Sequence, residues 1–173
     1  MKSGMRSVVV RALLVLLLLS PIVAGLHYVL PSHEVVRITA TDIRRIDERP
    51  DAQGRIRTRD VYYIFAERPE TGAPRVFRNE DTGWGFPPYF KFNSADVQAR
   101  AASAASERAT ALVTYYGWRI QMFSVFPNAV SIRRVPADYT PVPWFNIVFL
   151  AGLAILVAWA WIAIARWRRR RAA

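Results

Sequence analysis

The chain has 173 residues, with 24 lysines and arginines against 13 acidic residues and a formal net charge of +11. It has no cysteine, which excludes disulfides and thiol chemistry, and its two histidines leave few candidates for catalysis that needs an imidazole base. Three cations precede residue 12 and five follow residue 165, whereas the region between them carries sixteen cations together with all thirteen acids. The excess charge therefore lies at the termini, which argues against a nucleic-acid-binding protein.

Two uncharged apolar segments, residues 12–30 and 144–165, each have the length of a membrane-spanning helix, which takes about 20 residues. Because lysine and arginine are enriched on the cytoplasmic side, the basic flanks 1–11 and 166–173 predict that both termini are cytoplasmic. Residues 31–143 would then form a periplasmic domain on a bacterial inner membrane. A cleaved signal peptide is the alternative interpretation of the first segment, because small residues occur near its end.

The basic tail is expected to contact anionic lipid headgroups. A nucleic-acid partner is not expected, because a short cytoplasmic tail offers no folded face that combines aromatic and basic side chains. The cations of the tail are Arg166, Arg168, Arg169, Arg170 and Arg171.

Between the two segments, apolar residues alternate with polar ones, a pattern that predicts β-strands. The predicted strands cover residues 36–40, 61–66, 75–78, 116–122 and 130–133. A slip in the alternation at Asp42 and Ile43 indicates a β-bulge after the first strand.

One helix is predicted between the third and fourth strands, over residues 94–112, with Asn93 as its N-cap and Asp96 in its first turn. Its inward face would comprise Val97, Ala101, Ala104, Ala105 and Leu112. The predicted fold class is therefore α+β: about five strands and one helix, flanked by two transmembrane helices. The order of three strands, a helix and two strands is also that of the OB fold, so a barrel-like arrangement is compatible with it.

The most unusual stretch is residues 79–92, which place five aromatic residues among glycines, prolines and an acidic pair. Glycine and proline at this density exclude a regular strand or helix. Aromatic rings on a rigid loop suit a binding surface, although the same rings could instead cap the domain as core. We predict that Phe90 and Phe92 are core and that Trp84 is at least partly exposed. The residues predicted to bind a partner are Asn79, Glu80, Asp81, Trp84, Phe86 and Tyr89.

A second apolar stretch covers residues 123–130. Its proline and asparagine favour a turn. Two interpretations are open: a plain connection between strands, and a surface beside the aromatic stretch.

Catalytic and metal-binding interpretations have less support. Glu80 and Asp81 are adjacent, so their side chains diverge, and they lack the spacing that glycoside hydrolysis or an EF-hand calcium loop requires. His27 and His33 are six positions apart and do not share one helical face. A serine-lysine pair would have to use Lys91, and no serine has a motif around it. We therefore expect no enzymatic activity, catalytic residue, metal or cofactor.

Six short stretches carry a resemblance that covers nearly the whole chain. They are residues 27–32, 78–85, 87–92, 116–119, 126–130 and 143–147. Together they resemble an uncharacterised family of small two-span inner-membrane proteins of proteobacteria, a domain of unknown function. The resemblance implies the architecture described above and implies no activity, cofactor or catalytic residue.

The leading hypothesis is a non-enzymatic, membrane-anchored periplasmic module that binds another envelope or membrane protein through the loop around Trp84. The alternative is a binding domain for a small envelope ligand, a glycan or a lipid headgroup, which would stack on the same rings. A closed pocket lined by Trp84, Tyr89 and Trp118 would favour the ligand, whereas a flat exposed patch would favour the protein partner.

Overall fold

The computed structural model describes residues 2–47, 53, 54, 56 and 58–172, and its elements follow the predicted order. The elements are helix α1 (Lys2–Val29), strands β1 (Ser32–Asp47), β2 (Thr58–Glu67) and β3 (Pro74–Asn79), helix α2 (Ser94–Ser106), strands β4 (Thr110–Tyr116) and β5 (Asn128–Arg134), and helix α3 (Trp144–Ala172). The chain divides into two compact units between Pro141 and Val142, so that α3 forms the second unit by itself. The mixed α+β class is confirmed.

The five strands form a closed barrel in the order β1-β2-β3-β5-β4. All neighbours are antiparallel except β3 and β5, which meet in parallel where Arg78 lies opposite Asn128. With α2 placed between β3 and β4, this connectivity is that of the OB fold. Strand β1 closes the barrel because it pairs with β4 from Ser32 and with β2 as far as Asp47.

A register shift in β1 falls between Ile38 and Ala40, where the strand changes from one neighbour to the other. A bulge adds a bend to a strand, and a strand that pairs on both sides of a small barrel needs such a bend. A bulge was predicted, but at Asp42 and Ile43, which instead continue the regular pairing with β2.

The core fills the barrel and the space between the barrel and α2. Its largest buried side chains include Phe77, Ile38 and Ile64 from three neighbouring strands. On α2, the prediction is confirmed for Val97, Ala101 and Ala104, which are buried. Alanines allow the helix axis to approach the sheet closely, which places the start of α2 next to the end of β3.

Two predicted boundaries are wrong. The helix ends at Ser106, where Arg108 takes a left-handed backbone (φ 48°), and Leu112 therefore lies on β4 rather than on α2. The fourth strand covers Thr110–Tyr116 and ends where the predicted strand was to begin. Pairing with β1 and β5 on both sides selects this segment, and tertiary pairing outweighs local alternation in strands.

One helix in the described part of the chain, Trp144–Arg171, is long and apolar enough to cross a membrane. The apolar part of α1, Leu13–Val29, is shorter at 17 residues. The structure therefore supports one of the two predicted spans by length and composition. The basic tail is not a separate segment, because it forms the last turns of α3.

Candidate functional site

The aromatic loop, residues 80–93 between β3 and α2, is held in place by the hydrogen bonds of a buried lysine within it, Lys91. Lys91 is 3% exposed, and its Nζ donates to Asn79 Oδ1 and, at 3.1 Å, to the backbone oxygen of Glu80. Asn79 has no exposed surface and donates from Nδ2 to the backbone oxygen of Ser94 at 2.8 Å. Desolvation lowers the pKa of Lys91 to about 8. Asn79 thus supports the loop from inside and presents no surface to a partner.

Asp81 caps helix α2 from the loop. Its carboxylate accepts hydrogen bonds from the backbone N–H of Ser94 at 2.9 Å and from the Ser94 hydroxyl at 2.8 Å. A carboxylate is favourable at a helix N-terminus because it satisfies a free N–H and faces the positive end of the helix dipole. Asn93, the predicted cap, makes no side-chain capping bond. The Ser94 hydroxyl is directed to Asp81, so it does not pair with Lys91.

Glu80 is charge-compensated and joined to β5. Its carboxylate forms ion pairs with Arg78 and with Arg59, the latter over a distance of 3.1 Å to Oε1. The contact of Arg59 with Oε1 does not have the geometry of a hydrogen bond. Its backbone exchanges two hydrogen bonds with the Asn128 side chain, at 2.8 and 3.0 Å. The acidic pair of the sequence therefore serves the packing of the loop, and its two carboxylates have separate partners.

Tyr89 connects the aromatic loop to the end of α1. Its hydroxyl donates to the backbone oxygen of Val29 at 2.6 Å, and its ring stacks on Tyr116 with centroids 4.7 Å apart. Burial raises the pKa of the Tyr89 hydroxyl. The phenol therefore remains a protonated donor to α1 at neutral pH.

Four rings of the loop point to solvent and form what we call the aromatic surface: Trp84, Phe86, Phe90 and Phe92. Their exposed fractions are 84, 80, 54 and 58%. The Trp84 ring packs edge-on against Phe90 and Phe92, with centroids 5.5 and 5.6 Å apart. The exposure predicted for Trp84 is confirmed, but the core position predicted for Phe90 and Phe92 is wrong. Lys91 occupies the inward position because its ammonium finds backbone and side-chain acceptors there, and both neighbouring rings are consequently turned outward.

A small cleft of about 280 Å³ separates the aromatic loop from the β4–β5 connection at the end of α1. Its walls include Phe86 from the loop, Tyr28 from α1, and Trp118 and Phe126 from the connection, with Arg78 as a cation. Trp84 does not line this cleft. Phe86 therefore belongs both to the aromatic surface and to the cleft wall, whereas Trp84 belongs to the aromatic surface alone.

A second, more open cavity of about 590 Å³ does not involve the aromatic loop. It is lined by His33, Glu34, Tyr115 and other residues that include the segment 137–141. The Glu34 carboxylate accepts hydrogen bonds from Arg68 at 2.7 Å and from Arg75 at 2.9 Å. This cavity is therefore polar, and its Glu34 carboxylate is held between two guanidiniums.

Metal-ligating groups are dispersed in the described residues, where no group of three or more His, Cys, Asp or Glu side chains could hold an ion. His27 Nδ1 accepts a hydrogen bond of 2.8 Å from Trp118 Nε1. Burial lowers the pKa of His33 in the second cavity. The two histidines thus have separate surroundings.

Sequence reasoning missed Lys91, Tyr116 and Asn128 as parts of this site. Lys91 carries one usable signal, because it is one of two lysines in a chain with 24 basic residues. Tyr116 and Asn128 lie at the end of β4 and the start of β5, and only the closed barrel brings them to the loop.

The comparison with known proteins agrees with the resemblance seen in the sequence. Residues 5–168 match the model of a family described as protein of unknown function (DUF1523). An uncharacterised protein of Haemophilus influenzae is 41% identical over 140 residues, which cover 75% of this chain and 79% of the relative. No solved structure matches the chain. The predicted membership in an uncharacterised proteobacterial family is thereby confirmed, and the chain belongs to the DUF1523 family.

Proposed function

We propose that the protein is a non-enzymatic, membrane-anchored module that binds another envelope or membrane protein through the aromatic surface. The observation that carries this proposal is the exposure of four large rings on a loop whose backbone is held by buried polar bonds. Contiguous exposed apolar patches mark interaction sites. A preorganised loop also loses little conformational freedom when it binds.

The proposed anchor consists of α1 and α3, with both termini in the cytoplasm and residues 31–143 on the periplasmic side of the inner membrane. The apolar part of α1, Leu13–Val29, has 17 residues, or about 26 Å at 1.5 Å per residue, against a hydrocarbon core of about 30 Å. Its side chains from Leu13 to Leu19 are between 51 and 69% exposed. Such a face suits lipid contact, and the basic flanks set the orientation.

The arginines at the end of α3 are proposed to contact anionic headgroups on the cytoplasmic side. The Arg171 guanidinium lies 3.9 Å from the centre of the Trp167 ring. Tryptophan and arginine together are typical of the membrane interface, where an amphipathic ring and a cation both find partners. The cations are Arg166, Arg168, Arg169, Arg170 and Arg171.

The alternative function is the binding of a small envelope ligand, a glycan or a lipid headgroup, in the cleft at the end of α1. One observation favours it: the rings of Phe86 and Trp118 line one cleft, where they are available for stacking, whereas the Arg78 guanidinium in that cleft is already paired with Glu80. The exposure of Trp84 outside the cleft favours the protein partner.

Photocrosslinking in native membranes tests the partner. A photoreactive phenylalanine analogue at Phe86 should form an adduct with a specific membrane protein, which mass spectrometry identifies. The Trp84→Ala change should abolish this adduct, because it removes the centre of the aromatic surface. The control is Ile43→Ala, since Ile43 is an apolar side chain on β1 that is 57% exposed and does not belong to the aromatic surface.

The outcomes separate the two functions. An adduct that persists in Trp84→Ala, or the absence of any protein adduct, contradicts the partner proposal. Ligand binding instead predicts that Trp118→Ala reduces the binding of an anionic lipid or glycan, whereas Trp84→Ala leaves that binding intact. Reporter fusions after Arg171 and at the Gln53-Gly54 turn test the topology, which requires a cytoplasmic and a periplasmic signal respectively.

A further inference from the structure

The connection between β4 and β5 forms a short finger, residues 118–126. Ile120 and Val125 pair through two backbone hydrogen bonds of 3.1 and 3.0 Å, which close the finger at its base. The tip is one 3-10 turn, Gln121–Phe123. Its two apolar side chains, Met122 and Phe123, are 83 and 69% exposed. The finger is therefore an ordered turn that presents apolar side chains away from the barrel.

Contacts with α1 give the position of the finger base. The backbone N–H of Gly117 donates to the Tyr28 oxygen at 2.9 Å, and Trp118 Nε1 donates to His27 Nδ1 at 2.8 Å. Later residues of the connection thus contact earlier residues of α1. The finger therefore begins beside the last turn of α1, which belongs to the apolar part of that helix, Leu13–Val29. Because β1 begins three residues after α1 ends, the barrel cannot move away from this end of the helix.

The finger also has the chemistry of a membrane-interface segment. No charged residue occurs from position 120 to 132, in a chain in which 21% of residues are charged. The nearest cation is Arg119 at the base, where its guanidinium donates to the Val125 oxygen at 2.9 Å and lies 4.1 Å from the centre of the Phe126 ring. An apolar tip with a cation at its base matches the order of acyl chains and headgroups across an interface.

We propose that the tip of the finger, Met122 and Phe123, inserts into the lipid bilayer beside α1 and docks the barrel on the membrane surface. This proposal rests on the anchoring of α1 put forward above. It differs from the partner proposal because the finger is a separate surface from Trp84. The position of the finger base beside the last turn of α1 and the absence of charge favour lipid over a protein as the occupant.

Single-cysteine labelling tests the insertion, since the chain has no cysteine of its own. The full-length chain is placed, one copy per disc, in nanodiscs of phosphatidylcholine and phosphatidylglycerol. Met122→Cys and, separately, Phe123→Cys carry a nitrobenzoxadiazole label. The matched control is Thr71→Cys, in the exposed turn between β2 and β3. We expect the labels at positions 122 and 123 to emit at shorter wavelength and to be quenched by nitroxide-labelled lipids, and the label at position 71 to do neither.

Three results would overturn the proposal. The first is that the labels at positions 122 and 123 emit at the same long wavelength as the label at position 71, which indicates that all three are exposed to water. The second is shielding that appears only when several copies share a disc or when a partner protein is added, which would make a protein the occupant. The third is loss from the discs of a chain that ends at residue 143, which would remove the anchoring of α1 itself. In the first two results the anchoring stands, so failure of the finger is distinguishable from failure of the anchor.

Discussion

Helix α2 and the aromatic loop are adjacent in the sequence, but helix α2 buries its larger apolar side chain and alanines whereas the loop exposes most of its aromatic rings. Helix α2 buries Val97, Ala101 and Ala104 against the barrel. The loop that precedes it buries Lys91 and exposes Trp84 and three phenylalanines. Burial of apolar surface contributes about 25 cal/mol per Å², and the loop forgoes much of this gain at four of its five aromatic rings. The difference teaches that the inward side of the loop serves folding and its outward side is available for binding.

The largest expected effect is on the folding side of this comparison. Phe77→Ala removes a fully buried ring that packs 5.1 Å from the Tyr115 ring, and it should lower the free energy of unfolding by about 3–5 kcal/mol. Denaturant unfolding of the full-length chain in detergent, followed by near-ultraviolet circular dichroism, measures the loss. A loss under about 1 kcal/mol would contradict the assignment of the barrel core.

A smaller loss of free energy of unfolding is expected at Lys91, whose hydrogen bonds hold the aromatic loop. Lys91→Met leaves Asn79 Oδ1 without its buried donor, whereas the Glu80 oxygen keeps its bond from Asn128, and an unsatisfied buried group costs about 1–3 kcal/mol. The same unfolding experiment measures it. A loss under about 0.5 kcal/mol, the range of ordinary surface substitutions, would contradict this role of Lys91.

The pH dependence of stability sharpens the role of Lys91. The folded chain lowers the pKa of this lysine from 10.5 to about 8, so between these values the unfolded chain binds more protons. Stability should therefore rise with pH above about 8. Below that pH, Lys91 is protonated in both states and adds nothing to the pH dependence of stability. Unfolding at pH 7, 8 and 9 measures the rise, which should be absent in Lys91→Met. The window ends near pH 10, where the buried tyrosines begin to titrate differently in the two states.

The smallest effect on stability is expected for Trp84→Ala. Trp84 is 84% exposed, and surface substitutions usually change stability by less than about 0.5 kcal/mol. A loss of about 3–5 kcal/mol, the range of a buried aromatic ring, would contradict the conclusion that the outward side of the loop does not serve folding. The unchanged stability should accompany the loss of the crosslinked partner, which together separate a binding role from a folding role.

Much of the fold could be predicted from local patterns. The order of the elements and the inward alanines of α2 follow from periodicity, which reports the face that an element buries. The boundaries of β4 could not be predicted, because residues 116–122 alternate in polarity whereas residues 110–116 contain a continuous apolar run, and only pairing with β1 and β5 selects the second segment as the strand. The same limit applied to Asn93, whose capping role is taken by Asp81 from a distant loop position.

The sequence by itself determined the position of the apolar segments, the order of strands and helices, and the choice of residues 79–92 as the unusual loop. Composition and spacing suffice for these, because each depends on neighbours along the chain. Only the tertiary structure decided that Lys91 points inward and Phe90 and Phe92 outward, that Tyr89 bonds to α1, and that the β4–β5 finger begins beside the last turn of that helix. These features depend on acceptors and rings that the closed barrel brings together from distant parts of the chain.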